Sequence, residues 1–137
     1  MKVLFVSDCL PRVLAKDKEI ISRNYESRSI LFNSKKLESY IQLIKGVIWA
    51  DVVYTWFEIK YSAILTLLSR SLGKKCIVAT AYGMTDTDPF IKNLYSKIAI
   101  NLADVSLANS NFKVEILKRD FNPRNIKMIY HGIDNNE

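Results

Sequence analysis

The chain has 137 residues, of which 49% are hydrophobic and 25% are charged. This balance is that of an ordinary globular protein and excludes an intrinsically disordered chain. Only 4 Gly and 3 Pro are present, so the sequence contains no flexible linker or low-complexity tract. No apolar run approaches the roughly 18 residues that a membrane-spanning helix needs, and the early Asp8 is unlike a secretory signal. The composition predicts one soluble, cytoplasmic domain.

The charge balance favours anionic partners. The chain has 20 Lys and Arg residues against 14 Asp and Glu residues, a formal net charge of +6. This excess suits nucleotides, phosphorylated substrates, anionic lipid surfaces and nucleic acid, and charge alone does not choose among them. The basic residues are dispersed, with no aromatic-interleaved basic groove or recognition-helix motif, which argues against nucleic acid.

The two cysteines, Cys9 and Cys76, are far apart and belong to no CxxC or Cys/His cluster. This arrangement argues against a zinc site. It favours two buried, reduced thiols in a cytoplasmic protein over a disulfide.

Short runs rich in β-branched and apolar residues recur along the chain and predict strands. The first, at residues 3–6, is continuously apolar, as in a strand that is covered on both faces. Residues 27–32 form a weaker second candidate. Four further candidates follow at regular spacing, at residues 51–55, 76–80, 104–108 and 126–130.

Helical patterns lie between these strands, of which residues 12–24 are the least periodic. Residues 34–48 carry an unbroken apolar stripe at i, i+3, i+4, i+7 spacing. The stripe consists of Leu37, Tyr40, Ile41, Ile44, Val47 and Ile48. Residues 58–72 predict a more apolar helix that ends at Gly73 as a C-cap. Its apolar positions are Ile59, Ala63, Ile64, Leu67, Leu68 and Leu72.

Two more helices are predicted in the second half of the chain. Residues 89–103 are amphipathic, with Pro89 suited to the first turn. Their apolar positions are Phe90, Ile91, Leu94, Tyr95, Ile98, Ala99, Leu102 and Ala103, and their polar face holds Lys92, Asn93, Ser96 and Lys97. Residues 111–121 predict the last helix, with Asn109 or Ser110 placed to cap it.

Strand and helix therefore alternate from one end of the chain to the other. Five repeats of this alternation predict a parallel sheet with right-handed crossovers. The predicted fold class is α/β, a Rossmann-like three-layer domain with a five- to six-stranded, mainly parallel sheet and helices on both faces. Residues 1–137 are predicted to form this single domain.

Ligands of such sheets bind at the loops that follow the carboxyl ends of the strands. The loop after the first strand, Ser7 to Pro11, contains no glycine, so the GxGxxG fingerprint of dinucleotide sites is absent. The chain also contains no GxxxxGK[ST] phosphate loop. The sequence therefore argues against an ordinary NAD or ATP site.

Each candidate site residue in these loops has two interpretations. Asp8 suits either a substrate hydroxyl or a helix cap, and Tyr82 either packs or contacts a ligand beside a turn at Gly83. Asp86 and Asp88 precede Pro89, where carboxylates favour a helix start, so no metal site is predicted.

The last two candidates lie in the second half of the chain. His131 is the only histidine, a side chain whose unperturbed pKa lies near neutrality, which suits catalysis, although a lone histidine is more often structural. Residues 109–111 present backbone N–H groups at a helix start, which suits anion binding as well as simple capping.

Three of these segments together resemble a known family. Residues 103–112 (ADVSLANSNF), followed by Leu117, resemble the ADxxxxNSxF…L segment of retaining family-four glycosyltransferases of the two-domain B type. Residues 126–134 (IKMIYHGID) resemble the run that closes the N-terminal domain of that family. Residues 77–83 (IVATAYG) lie where the family has hxxTxHG, and all three agree in order and spacing.

The resemblance implies a bilobal enzyme whose N-terminal lobe, represented by this chain, receives the acceptor. It implies that the cleft is lined by Asp8, Tyr82, Gly83, Asn109, Ser110, His131 and Gly132. Two departures concern the site: the glycine-rich loop after strand one is replaced by Asp8 to Pro11, and the histidine of the family's HG is Tyr82. The donor-binding C-terminal lobe, with its Glu-x7-Glu motif, is not part of these 137 residues.

The resulting hypothesis is the acceptor-side domain of a glycosyltransferase that moves a sugar from a nucleotide-sugar donor. It requires a second lobe, a partner or a homo-oligomer, and the catalytic residues are unknown. It involves no tightly bound cofactor and no metal, and its acceptor is a sugar or glycolipid. Lys92 and Lys97 form a candidate face toward an anionic membrane, with peripheral localisation, or a solvated helix face. The alternative hypothesis is a non-catalytic Rossmann-like binding or interaction module.

Overall fold

Eleven helices and strands alternate along the part of the chain that the computed structural model describes, residues 1–7, 12–56, 60–80 and 94–129. The strands are β1 (Lys2–Ser7), β2 (Glu26–Leu31), β3 (Val52–Trp56), β4 (Lys75–Thr80), β5 (Val105–Ala108) and β6 (Ile126–Met128). The helices are α1 (Arg12–Ser22), α2 (Leu37–Trp49), α3 (Lys60–Ser71), α4 (Leu94–Leu102) and α5 (Asn111–Asp120). Every strand and helix that the sequence predicts is present, with small shifts at the ends that the structure describes. The predicted residues 58, 59, 89–93 (with Pro89) and 130 lie outside the described residues.

The six strands form one sheet in the order β2-β1-β3-β4-β5-β6, and every neighbouring pair is parallel. The predicted α/β, Rossmann-like three-layer fold is therefore confirmed, with an entirely parallel sheet. The first crossover runs to one side of β1, and the later strands are added on the other side. This reversal between β1 and β3 is the topological switch point, where open α/β sheets bind ligands.

The two faces of the sheet have different helices. Val3 and Phe5 of β1 point toward the face of α1, where they form an apolar cluster that Ile21 covers. Leu4 and Val6 point the other way, into a cluster with residues of α2 and α3. Further clusters place α4 and α5 on this same second face. The continuous apolar run of β1 thus contributes side chains to the hydrophobic clusters on both faces of the sheet, as expected for a strand that is covered on both faces.

Helix α2 does not bury the apolar stripe that its sequence displays. Its buried residues are Ser39, Leu43, Gly46 and Val47. Four of the six residues of the predicted stripe, Leu37, Ile41, Ile44 and Ile48, are instead exposed, with Leu37 at 77%. The reason is the close approach of the helix to the sheet, since a Cβ added to Gly46 would lie 2.9 Å from Ile30 Cδ1 and 3.0 Å from Leu4 Cδ2.

Helices α3 and α4 are turned in the same way. Helix α3 buries the hydroxyl residues Ser62, Thr66 and Ser69, whereas Ile64 and Leu67 are exposed. Two of these hydroxyl groups have partners, because Thr66 Oγ1 donates to Ser62 O at 2.8 Å and the Ser62 and Thr55 hydroxyls lie 3.0 Å apart.

In α4 the buried residues are Ser96, Ala99 and Ile100. Ser96 was predicted on the polar face beside Lys97, and that prediction is wrong because the serine packs inward. Leu94 and Tyr95, predicted on the apolar side of this helix, are exposed.

No helix in the described ranges is both long enough and apolar enough to span a bilayer.

Candidate functional site

The candidate site is the sheet edge at the carboxyl ends of the strands. Of the site residues predicted from the sequence, Asn109 and Ser110 lie in the described part of the chain, as does Lys97 of the predicted membrane face. Outside the described residues lie Asp8, Tyr82, Gly83, Lys92, His131 and Gly132, together with Cys9, Asp86 and Asp88. Asn109 and Ser110 directly follow β5, which places them at this edge, whereas Lys97 is an exposed residue of α4.

Ser110 is the N-cap of α5. Its backbone is extended, and its Oγ accepts a hydrogen bond of 3.3 Å from the backbone N–H of Lys113. The predicted capping role is thus confirmed, with Ser110 rather than Asn109 as the cap. The cap uses the hydroxyl as an acceptor, so the hydroxyl proton can still be donated. The helix N-terminus behind it carries partial positive charge, which favours an anionic group at this edge.

Lys113 is a second polar residue at this edge, and it is not among the site residues predicted from the sequence. Its side chain is 9% exposed, and its Nζ donates to the carbonyl oxygen of Thr80, the last residue of β4, at 3.4 Å. The lysine therefore connects α5 to the end of β4 and holds a positive charge beneath the site. Its spacing in the sequence could have indicated burial. Lys113 precedes the buried Ile116 and Leu117 by three and four residues and therefore lies on the inward face of α5.

The three segments that resemble the glycosyltransferase family lie on adjacent strands. Thr80 of β4 pairs with Ala108 of β5, and Ala108 pairs with Met128 of β6. The pairing extends beyond β6, because the N–H of Ile129 donates to Ala108 O at 2.8 Å. Thr80, Ala108 and Ile129, one residue from each segment, are consequently side by side near the carboxyl edge, although 49 residues separate Thr80 from Ile129 in the chain.

Asp104, which belongs to the ADxxxxNSxF-like segment, lies at the opposite edge. Its carboxylate accepts from the backbone N–H of Cys76 at 2.9 Å and from Lys75 Nζ at 3.3 Å. These bonds fix the start of β5 against the start of β4. The carboxylate therefore has a structural role in this chain, remote from the candidate site.

A narrow cavity of about 10 Å³ lies under the edge. It is lined by Tyr54, Ala79, Thr80, Leu107, Ala108, Asn109 and Ile129. This volume is about that of one water molecule. The cavity can form the floor of a cleft and is too small to hold a sugar by itself.

Tyr54 of β3 connects this floor to α1. Its hydroxyl donates to Asp17 Oδ2 at 3.1 Å, and its ring lies 5.3 Å from that of Phe5. Burial raises the pKa of Tyr54, and the negative charge of Asp17 raises it further. The phenol therefore remains protonated and acts as a neutral hydrogen-bond donor beside the switch point. The sequence could not indicate this pair, because 37 residues separate its members.

Two larger depressions flank the edge near β2. One of about 540 Å³ lies between α1 and strands β1 and β2, and its lining includes Phe5, Ser7 and Leu31. The other, of about 490 Å³, lies where β2 leads into α2 and is lined mainly by polar residues. These are Asn33, Ser34, Lys36, Glu38, Ser39 and Gln42, with Leu31 and Phe32. Both volumes fall within the range of small-molecule sites.

Neither metal chemistry nor a thiol nucleophile is evident among the described residues. No group of three His, Cys, Asp or Glu side chains is placed there to hold a metal ion. Cys76 is a free, buried thiol at the start of β4, and burial raises its pKa to about 11. A thiol with such a pKa is unreactive at neutral pH.

Comparison with known proteins identifies no relative. No protein-family model matches the sequence. A search of curated proteins likewise finds no significant match. The fold and the arrangement at the carboxyl edge are therefore the basis for a functional conclusion.

Proposed function

We propose that this chain is the acceptor-side domain of a B-type, retaining glycosyltransferase. In this role it takes part in the transfer of a sugar from a nucleotide-sugar donor to an acceptor. A second lobe or a partner subunit, or a second copy of the chain, supplies donor binding. The proposal involves no metal and no tightly bound cofactor.

The observation that carries the proposal is the convergence of the three family-like segments at one sheet edge. Parallel strands place their carboxyl ends together, and this is the edge where open α/β sheets bind ligands. Thr80, Asn109 and Ile129 line one small cavity there. The shared edge is therefore the place where residues of the three segments can act on one ligand.

The chemistry of the edge suits a polyhydroxylated or phosphorylated ligand. The side-chain amide of Asn109 contains both donor and acceptor groups, and the Ser110 hydroxyl can donate while it caps α5. The N-terminus of α5 and the amino group of Lys113 both favour an anionic ligand at this edge. The separate depression beside Asn33 and Gln42, at the end of β2, has a volume within the range of small-molecule sites and a polar lining that can form hydrogen bonds with sugar hydroxyl groups.

Titration of the labelled chain by NMR tests the proposal. A panel of nucleotide sugars, and separately sugar or glycolipid acceptors, should shift the backbone amides of Thr80, Asn109, Ser110 and Lys113 in a saturable manner. The Asn109→Ala variant should weaken this binding by about tenfold, since a polar ligand then loses a paired amide. Asn125→Ala, which changes an exposed asparagine before β6, is the matched control and should bind as the unmodified chain does.

Two results would contradict the proposal. In the first, these amides do not move with any member of the panel, alone or with a candidate partner subunit. In the second, Asn109→Ala and Asn125→Ala reduce binding equally.

A second candidate function is a non-catalytic binding or interaction module. The observation that favours it is the exposed apolar surface of α2 to α4, which is unusual for a domain that acts alone. Analytical ultracentrifugation combined with an assay of sugar turnover separates the two candidates. A strict monomer that turns over a nucleotide sugar would exclude the module.

A further inference from the structure

Helices α2, α3 and α4 form a layer whose outer surface is aliphatic. The exposed members of this surface are Leu37, Ile41, Ile44 and Ile48 of α2, Ile64 and Leu67 of α3, Leu72 after α3, and Leu94 of α4. Their exposures range from 43% to 77%. We call this set the outer aliphatic face.

The outer aliphatic face is a continuous pattern rather than a set of scattered residues. On α2 the four residues follow the spacing i, i+4, i+7, i+11, which is one stripe opposite the buried Ser39 and Gly46. Ile64 and Leu67 of α3 repeat the pattern on the next helix of the layer. Single exposed aliphatic residues are common, but stripes on neighbouring helices mark a surface that binds something apolar.

The charged residues around the outer aliphatic face are mainly positive. Three exposed basic residues, Lys45, Arg70 and Lys97, lie on the three helices, against one exposed carboxylate, Glu38. Lys35 and Lys36 add two exposed basic residues just before α2. Helix α5, on the same side of the sheet, is different, since its Lys118 and Arg119 are accompanied by Glu115 and Asp120.

The geometry points to an anionic lipid bilayer as the partner of this surface, and we propose that the chain binds anionic membranes through the outer aliphatic face. Aliphatic residues flanked by lysine and arginine are the pattern of helices that lie in a membrane interface. Acidic lipids would neutralise the basic residues, whereas a second copy packed face to face would bring like charges together. The surface thus differs from the polar face with Lys92 predicted from the sequence, although Lys97 borders it. This inference does not depend on sugar transfer.

Co-sedimentation of the full chain with vesicles tests the inference. Vesicles of mixed phosphatidylglycerol and phosphatidylcholine should bind the chain, and vesicles of phosphatidylcholine alone should bind it far more weakly. Raising the salt concentration should weaken binding, because exposed charges are then screened.

Variants then locate the binding surface. The double substitution Ile41→Ser with Ile48→Ser should reduce vesicle binding by about tenfold or more, because aliphatic burial is lost at two sites. Its matched control is Phe112→Ser on α5, where an equally exposed apolar residue lies outside the face. Lys45→Glu with Lys97→Glu should also reduce binding to anionic vesicles by about tenfold or more, whereas Lys118→Glu on α5 should change it little.

Three results would contradict the inference. The inference is wrong if the native chain binds neither type of vesicle, or if Phe112→Ser weakens binding as strongly as the isoleucine variants do. It is also wrong if the chain is a dimer in solution that Ile41→Ser with Ile48→Ser dissociates without affecting vesicle binding, because a second copy would then be the partner. Circular dichroism of each variant confirms that it remains folded, which substitutions at exposed positions should allow.

Discussion

Helices α3 and α5 pack on the same face of the sheet and both bury a leucine, Leu65 in α3 and Leu117 in α5, but α3 also buries a row of hydroxyl residues. Helix α5 buries Ile116 and Leu117 and exposes Glu115 and Lys118, as an ordinary amphipathic helix does. Helix α3 buries Ser62, Thr66 and Ser69 and exposes Ile64 and Leu67.

The difference follows from the position of each helix in the layer. Helix α3 lies between α2 and α4, and small residues such as Ala99 of α4 and Ala103 directly after it allow close packing against the sheet. The Ser62 and Thr66 hydroxyl groups are tolerated there because they bond to Thr55 and to the helix backbone. Helix α5 covers β5 and β6 near the end of the sheet, where larger side chains fill the available space. The comparison shows that helix hydrophobicity alone does not indicate which side of a helix is buried.

The most direct test of the comparison exchanges one leucine in each helix for alanine. Leu117→Ala removes a fully buried side chain and should lower the free energy of unfolding by about 2–5 kcal/mol. Leu67→Ala changes a side chain that is 48% exposed and should alter it by about 0.5 kcal/mol at most. Urea denaturation followed by circular dichroism measures both values. Similar losses for the two variants would mean that Leu67 is buried rather than exposed.

A smaller effect is expected where α2 approaches the sheet. Gly46→Ala should lower the free energy of unfolding by about 1–2 kcal/mol, because its Cβ would crowd the fully buried Leu4. The higher helix propensity of alanine offsets this loss by about 1 kcal/mol. A Gly46→Ala variant that is more stable than the native chain would therefore show that α2 packs less closely on Leu4 than described. Combining Gly46→Ala with Leu4→Val should cost less than the sum of the two single changes, since the smaller valine leaves room for the new methyl group. Denaturation midpoints of the three variants provide the measurement.

Unfolding at alkaline pH tests whether Cys76 is buried beneath α3 and α4. The expected change in stability is similar in size to that for Gly46→Ala. The pKa of Cys76 is raised to about 11 in the folded chain, against 9.0 for an unperturbed thiol. The unfolded chain therefore loses this proton first, so stability is complete below pH 9 and declines as the pH rises toward 11. The loss that Cys76 causes should be about 1–2 kcal/mol at pH 10. Denaturation at pH 8 and pH 10 should show a smaller decline for Cys76→Ala, and an unchanged decline would indicate an accessible thiol.

The smallest effect is expected for the hydroxyl pair between β3 and α3. Thr55 and Ser62 are both buried, with their oxygen atoms 3.0 Å apart. In a double-mutant cycle of Thr55→Val and Ser62→Ala, the coupling energy should be about 1 kcal/mol. Exposed Ser71→Ala, combined with Thr55→Val, is the control and should show no coupling. Additive losses in the first cycle would mean that the two hydroxyls do not interact.

Much of the fold could be predicted because its signals are local. The alternation of strand and helix predicts a parallel sheet, and the positive φ of 66° at Gly73 accords with its predicted place after α3. The orientation of α2 could not be predicted in this way. Its sequence contains a second stripe, Ser39, Leu43, Gly46 and Val47, at helical spacing, and only contact with the sheet selects that stripe for burial.

The candidate site was predictable to a smaller extent. Ser110 could be assigned because an N-cap depends on the residues directly after it. Lys113 and the pair of Tyr54 and Asp17 could not, because their partners are brought close only by the fold. The family-like pattern also contained Asp104 without any indication that its carboxylate would bond at the opposite edge.

The sequence by itself determined the α/β class, the order of the elements, the cap of α5 and the basic charge, because each depends on composition or on nearby residues. Tertiary structure alone decided the strand order and the switch point between β1 and β3. It also turned the small residues of α2 to α4 inward and left an aliphatic surface outside. The physical reason is that burial depends on the space between a helix and the sheet, which residues far apart in the chain define together.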